Sequence, residues 1–558
     1  MLRLTLLLLL VVVLAPRLHA EEFPVQIEVD ASDVLGELKP IWRFFGCDEP
    51  NYATMKDGRK LLGELGELRP QQVYFRTHNL LCTGDGTPAL KWGSTNLYTE
   101  DEAGRPQYDW TAIDRIFDTY LARGVRPFVQ IGFMPQALST APEPYQHAWR
   151  PGLPYEDIIT GWAYPPKDYD RWRDLNEQWV RHCIERYGRE EVEQWYWEVW
   201  NEANGHYWKG TPEEFHRLHD YAIDGVRRAL PTARVGGPHV AGSGGAFMDA
   251  FLQHIVHGTN HATGETGTPT DFLAFHAKGQ PTFVDGHVRL GMHAQLKAID
   301  NGFRKIAAIP ELRDRPIIIG ESDPDGCAAC TSQVYPQNNY RNGALYASYT
   351  AASFARKHAL ARRHGVNFEG ALTWAFEFED QPYFAGFRVL ATNGINLPVM
   401  NVFRMMSRMG PDQVAVRSSA EIPLDTLLER GVRGNPDVAA LASRDGHSVS
   451  ILLWHYHDDD VPGPDASVSL AVGGLGRATE VRVQHFRIDE THSNAFTAWQ
   501  RLGSPAGPNT GQYQQLIAAG QLVELSNASR TATVENGRTR LSFNLPRQAV
   551  SLVVLHPE

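Results

Sequence analysis

Eight short apolar runs, separated by stretches of helical periodicity between residues 41 and 374, constrain this chain more than any other feature. They are Ile41–Phe45, Val73–Arg76, Pro127–Ile131, Trp195–Trp200, Arg234–Gly237, Asp271–Phe275, Pro316–Gly320 and Gly370–Trp374. Strands alternating with helices predict an α/β fold, and eight such units predict a (β/α)8 TIM barrel with its reactive groups in the loops after the strand C-termini. The connectors carry helix signals of their own. Thr211-Pro212-Glu213-Glu214 supplies an N-cap, a proline at the first helical position and a capping-box carboxylate, and Ala222, Val226 and Leu230 follow at helical spacing.

From about residue 410 the texture changes to alternating segments such as 448–454, 480–484 and 549–554, punctuated by Gly, Pro, Asn and Asp. This pattern predicts a β-sandwich. Val25-Gln-Ile-Glu-Val29 alternates in the same way, so an N-terminal strand within 21–40 is expected to pair with the C-terminal sheet, leaving 41–409 for the barrel and 410–558 for the sandwich. Residues 1–20 read as a secretory signal peptide: Arg3 precedes an apolar run from Leu4 to Ala15, with cleavage expected after Ala20. The run is too short for a membrane anchor, so the mature chain is expected to be exported and to have no membrane partner.

A hydrophobic share of 42% and a charged share of 21% exclude a disordered, fibrous or multi-span chain. Net charge is −12, and removing Arg3 and Arg17 with the leader leaves 51 basic against 65 acidic residues, or −14. Such a field repels phosphate backbones, so nucleic acid is not an expected partner. Of the five cysteines, Cys327-Ala-Ala-Cys330 is placed to close a small disulfide loop in an oxidising compartment. His455, His457 and Asp458–Asp460 follow a sandwich strand and read as a hydrated turn, not a metal site. Neither metal nor cofactor is expected. Asn527-Ala-Ser529 fits the N-glycosylation acceptor pattern.

Polar residues interrupt the apolar runs at two telling places, Asn201-Glu202 after the fourth and Glu321 after the seventh. A carboxylate at the mouth of an apolar barrel is costly unless paired or used. Glycoside hydrolysis uses two: one protonates the departing oxygen, and the other attacks the anomeric carbon from about 5–5.5 Å away in retaining enzymes. Burial and repulsion from the second carboxylate are expected to raise the pKa of the first, so that it holds its proton.

These segments resemble the retaining glycoside hydrolases of family thirty-nine, which contains β-xylosidases and α-L-iduronidases, and the likeness runs over most of the chain. Trp197-Glu-Val-Trp-Asn-Glu202 is similar to the family's acid/base segment and Pro316-Ile-Ile-Ile-Gly-Glu321 to the strand bearing its nucleophile. The resemblance implies that Glu202 is the acid/base, Glu321 the nucleophile and Asn201 the partner of the sugar 2-hydroxyl. Phe75-Arg76-Thr77-His78 resembles the strand-two segment, implying that Arg76 supports the nucleophile and His78 contacts sugar hydroxyls. Phe275-His276-Ala277-Lys278-Gly279 resembles the strand-six segment, with His276 facing the site. Thr373-Trp374 with Glu377 and Glu379 resembles the strand-eight segment, in which a tryptophan packs against the sugar and one of the two carboxylates binds distal hydroxyls.

Strand six departs from the xylosidase pattern, which has tyrosine where this chain has Lys278; His276-x-Lys278-Gly279 is similar to the iduronidase branch. So are 257–260 with 263–265, and Glu321-Ser-Asp323-Pro324. Lys278 therefore fits two uses, holding a uronate carboxylate or keeping Glu321 ionised. The negative net charge weighs against polyuronate substrates. The expected activity is accordingly exo-acting, retaining release of β-D-xylose from xylosides and neutral xylo-oligosaccharides. The alternatives are α-L-arabinosides or α-L-iduronides in the same barrel, and a non-hydrolytic carbohydrate-binding protein.

Overall fold

The computed structural model describes residues 21–526 and 528–558; the expected leader and the expected acceptor Asn527 lie outside the described residues. Eight parallel strands close a barrel in chain order: Phe44–Cys47, Val73–Thr77, Val125–Ile131, Tyr196–Val199, Arg234–Val240, Phe272–His276, Ile317–Glu321 and Phe368–Thr373. Each begins or ends within a few residues of one apolar run. The helix Pro212–Ala229 opens with both hydrogen bonds of the Thr211–Glu214 capping box.

Alternation along the strands decides what fills the barrel. Phe44, Tyr74, Phe128, Tyr196 and Phe272 meet as an aromatic floor with ring centroids 4.9–6.3 Å apart. Losing one such ring costs ~3–5 kcal/mol. Two residues further on, the same faces carry Gly46, Arg76, Gln130 and Glu198, so a polar layer sits directly on the aromatic one. Gly46 is required there, because a Cβ would stand 2.7 Å from the Trp374 ring.

The accessory domain is a mixed sheet of ten strands. The N-terminal strand Phe23–Glu37 enters it, antiparallel to Asp412–Ser418 and parallel to Ala466–Gly473. Its Val25, Ile27 and Val29 share one core with Val468 and Leu470 on one side and Ile451, Val553 and Leu555 on the other. The layers of the expected sandwich are thus made by one continuous hydrogen-bonded sheet. Helices Ala495–Arg501 and Thr510–Ala519 interrupt it, and Ala495 and Leu516 bury against Phe384 and Ile395 of the loop after the eighth barrel strand.

His455, His457 and Asp458 are buried, which corrects the expectation of a hydrated turn. Asp458 accepts hydrogen bonds from Tyr456 and Val432, and Asp459 pairs with Arg289 and His287 of a hairpin in the strand-six loop. The segment is a polar seam between the sheet and the barrel. Helix Ala344–His364, which follows the seventh strand, is held to the sheet by a two-pronged Arg356–Asp437 pair at 2.8 and 2.9 Å and by Ser348 donating to Gln548 at 2.9 Å. No helix among the described residues is long and apolar enough to cross a membrane.

Candidate active site

The fourth strand ends in a turn in which Trp200 and Glu202 both adopt left-handed backbone conformations, φ 69° and 45°. Side-chain residues rarely settle there without outside support. Support comes from Trp200 N–H donating to the Ile131 carbonyl (3.0 Å) and Glu202 N–H donating to the His239 carbonyl (2.8 Å). On the seventh strand Gly320 precedes Glu321, and any Cβ at that position would collide with the His239 ring. Glu202 and Glu321 are thereby brought together, with one oxygen of each and a ring nitrogen of His276 all within 4.8 Å of one another. His276 Nδ1 lies 2.8 Å from Glu202 Oε1 and 3.6 Å from Glu321 Oε1. Lys278 Nζ bridges the pair, 2.5 Å from Glu321 Oε2 and 3.4 Å from Glu202 Oε1.

That ammonium decides the charge state. Burial pushes the Glu321 carboxyl up, but Lys278 and His276 outweigh it and hold it well below the usual carboxylate range. Burial opposes ionisation of Glu202 too, yet Lys278 and His276 bring it down to about 2. From sequence the reverse was expected of Glu202, a carboxyl kept protonated by burial and like-charge repulsion. The structure corrects this to two ionised carboxylates because a cation sits between them. Burial holds His276 below its ordinary pKa against the pull of Glu321 and Glu202, and its Nδ1 hydrogen-bonds Glu202.

Arg76 was expected to support Glu321, and its Nη1 is 3.6 Å from Glu321 Oε1. Its nearer partners are Glu198, which it contacts through Nε, and Asn201, whose Oδ1 accepts from Nη2 at 2.9 Å. Holding the amide oxygen leaves the Asn201 NH2 free to donate to a bound molecule. His78 hydrogen-bonds Gln130 through Nδ1 and points Nε2 toward Asp48 (3.4 Å) and Glu321 (3.6 Å). Trp374 is only 2% exposed, wedged between His78 and the Arg76 guanidinium, with Nε1 donating to Asp48 at 3.3 Å. It is a wall behind the site more than an open stacking face.

Glu377 and Glu379 are not brought into the cluster. Glu377 accepts from Gly394 N–H at 2.6 Å and so braces a loop, Glu379 accepts from Asp57 N–H at 2.8 Å in the first turn of helix Lys56–Leu68, and burial pushes Glu377 up to about 8. The Cys327–Cys330 disulfide is present in the loop after the seventh strand, and Arg341 donates to both cysteine carbonyls.

Several residues were missed. Glu198 is fully buried beside Arg76 and His239, and burial raises its pKa to about 8 against the pull of Arg76. The period-two step from Tyr196 pointed it inward. Asp48, paired with buried Lys91, directly follows the first strand, and Asp323 accepts the Trp374 N–H two residues beyond Glu321. Position relative to a strand end was the available signal for both.

The model of Glycosyl hydrolases family 39 matches residues 25–537. This chain belongs to glycosyl hydrolase family 39. It is therefore a glycoside hydrolase, and the non-hydrolytic alternative is set aside. Over 538 aligned residues it is 27% identical to a β-xylosidase of Geobacillus stearothermophilus, covering 93% of each chain. It is 25% identical to the α-L-iduronidase of Mus musculus, covering 97% of this chain and 82% of that one. The crystal structure of a monomeric β-xylosidase from Caulobacter crescentus superposes with a TM-score of 0.73 at 21% identity, covering 95% of this chain and 99% of that chain, which shows the shared fold.

Proposed function

We propose that this family 39 hydrolase is an exported, exo-acting, retaining glycosidase that releases β-D-xylose from the non-reducing ends of xylosides and xylo-oligosaccharides. The observation that carries the reading is the approach of Glu202 and Glu321 oxygens to within 4.8 Å, the short separation of a double displacement. Glu321, ionised beside Lys278, attacks the anomeric carbon; the glycosidic bond breaks as Glu202 delivers a proton to the departing oxygen. Glu202 then deprotonates water, which displaces Glu321 and frees the sugar. Asn201, steered by Arg76, holds the 2-hydroxyl. Because Glu202 is ionised in the free site, a neutral sugar entering between it and Lys278 must loosen that pair, raising the Glu202 pKa so that it carries the proton it donates.

The pairing of cations supports a neutral glycone. Lys91 is paired with Asp48, Lys278 with Glu321, and Arg388 with Asp325, so each of these three already compensates a carboxylate. A uronate would have to share one of them and lose its own hydration. A second reading, α-L-iduronide, is favoured by one observation: the Lys278 side chain is 24% exposed and can meet a ligand.

Proton NMR of 4-nitrophenyl β-D-xylopyranoside hydrolysis is expected to show β-xylose before mutarotation; α-xylose appearing first refutes retention. A panel with α-L-arabinopyranoside and 4-methylumbelliferyl α-L-iduronide tests the glycone. Turnover of the iduronide with the xyloside untouched overturns the neutral-sugar reading.

A further inference from the structure

Away from the barrel mouth, on the outer ring of helices, a second group of histidines and carboxylates has no part in the chemistry above. Helix Pro212–Ala229 contributes His216, His219 and Asp220, helix Gly245–His257 contributes His254, and the loop leading to the sixth strand contributes His261. One donor atom each from Asp220, His254 and His261 lies within 4.8 Å of the others. His254 Nε2 is 2.9 Å from Asp220 Oδ2, near the ~3.3 Å edge of a tetrahedron of ligands with ~2.0–2.1 Å bonds.

We propose that Asp220, His254 and His261 form a structural zinc site that ties the helices after the fourth and fifth strands to the loop entering the sixth. Imidazole nitrogen with carboxylate oxygen is a donor set suited to zinc. Asp220 is oriented for it: Thr268 Oγ1 donates to Oδ1 at 2.5 Å and His261 N–H to Oδ2 at 2.9 Å, the outer bonds that fix a ligating carboxylate.

A second, independent observation points to a ligand. His219 is fully buried with neither ring nitrogen hydrogen-bonded, and its Nδ1 faces Asp220 Oδ1 at 4.0 Å. His216, also buried and stacked on His254 with ring centroids 4.4 Å apart, leaves Nε2 without a partner. Buried imidazole nitrogens left unsatisfied cost ~1–3 kcal/mol each, a cost that coordination to zinc or hydrogen bonds to its ligands would relieve. Glu213, with Oε1 3.0 Å from His261 Nε2 and a side chain 73% exposed, marks the solvent edge of the cluster.

The test uses the full-length enzyme, stripped with a chelator and titrated with zinc chloride. One equivalent is expected to survive gel filtration, with nitrogen and oxygen scatterers at ~2.0–2.1 Å and imidazole features in X-ray absorption. Zinc is expected to raise Tm by a few degrees. His254→Ala and His261→Ala are each expected to weaken binding at least ~10-fold and abolish the Tm shift. Glu202→Gln serves as a control for binding at the barrel mouth, where Glu202, His276 and Glu321 form another group of possible ligands, and is expected to retain the zinc. Failure of the wild type to keep zinc, or loss of zinc in Glu202→Gln but not in His254→Ala, overturns the proposal. Should His254→Ala not fold, His261→Ala decides alone, since that side chain is 28% exposed and its removal opens no core cavity.

Discussion

Replacing Lys278 with methionine should move the pH–rate profile bodily toward alkaline pH. Lys278 Nζ sits 3.4 Å from Glu202 Oε1 and 2.5 Å from Glu321 Oε2. At the longer distance two unit charges attract by about 5 kcal/mol at an effective dielectric near 20. The two side chains are 24% and 17% exposed, so solvent screens part of this, and ~2–3 kcal/mol remains, or about 2 pKa units. Removing a cation disfavours the ionised form of both carboxyls, so both pKa values rise. The acid limb of kcat/KM, which requires ionised Glu321, moves up; so does the alkaline limb of kcat, which reports Glu202 protonated in the sugar complex, the carboxyl that Lys278 holds at about 2 in the free enzyme. The assay is kcat and kcat/KM for an aryl β-xyloside from pH 3 to 9 in wild type and Lys278→Met. A displacement of ~2 pH units is expected. Limbs that coincide within about 0.5 unit would refute the electrostatic account, and if uronide turnover alone were then lost, Lys278 would be a substrate-carboxylate anchor.

Glu202→Gln should slow glycosides with poor leaving groups by ~100-fold or more while sparing the first step for activated aryl glycosides, since only a basic leaving oxygen needs the proton; equal losses on both would remove Glu202 from the acid role. Lys357 is buried over the Phe354 ring with no hydrogen-bond partner for Nζ, and burial lowers its pKa to about 7. The unfolded chain therefore binds the extra proton between pH ~7 and ~10.5, and this contribution to stability increases through that window. Lys357→Met should raise Tm at pH 7, by ~1–4 kcal/mol of stability, with the gain fading toward pH 10; an unchanged or lower Tm would count against it. Thr211→Ala removes the hydroxyl of an intact capping box and should lower stability by ~1 kcal/mol, read in urea titration as a lower midpoint at constant slope.

Local pattern carried much of this protein. Eight apolar runs named the barrel strands, and the period of Val25 to Val29 named a strand whose partners, Asp412–Ser418 and Ala466–Gly473, lie hundreds of residues away. Thr211 and Glu214 announced a helix start because a cap is a bond between near neighbours. Glu202 and Glu321 were visible because a carboxylate at a strand end stands out against its apolar run. The step from Tyr196 to Glu198 was equally legible, but the buried carboxylate was passed over as part of an aromatic segment.

Ionisation was another matter. Whether Glu202 holds a proton depends on the 3.4 Å to Lys278 and the 2.8 Å to His276, both contributed by a different strand, and charge interactions fall with distance in space, not along the chain. The same reason separates Glu377 and Glu379, which brace a loop and a helix start, from the carboxylates that meet at the barrel mouth, and it turned His457 and Asp458 from a hydrated turn into a buried seam. Periodicity, caps and strand ends are local and were written in the amino-acid order; the sign and strength of each group's surroundings came only when the barrel closed and set residues from eight strands within a few ångströms of one another.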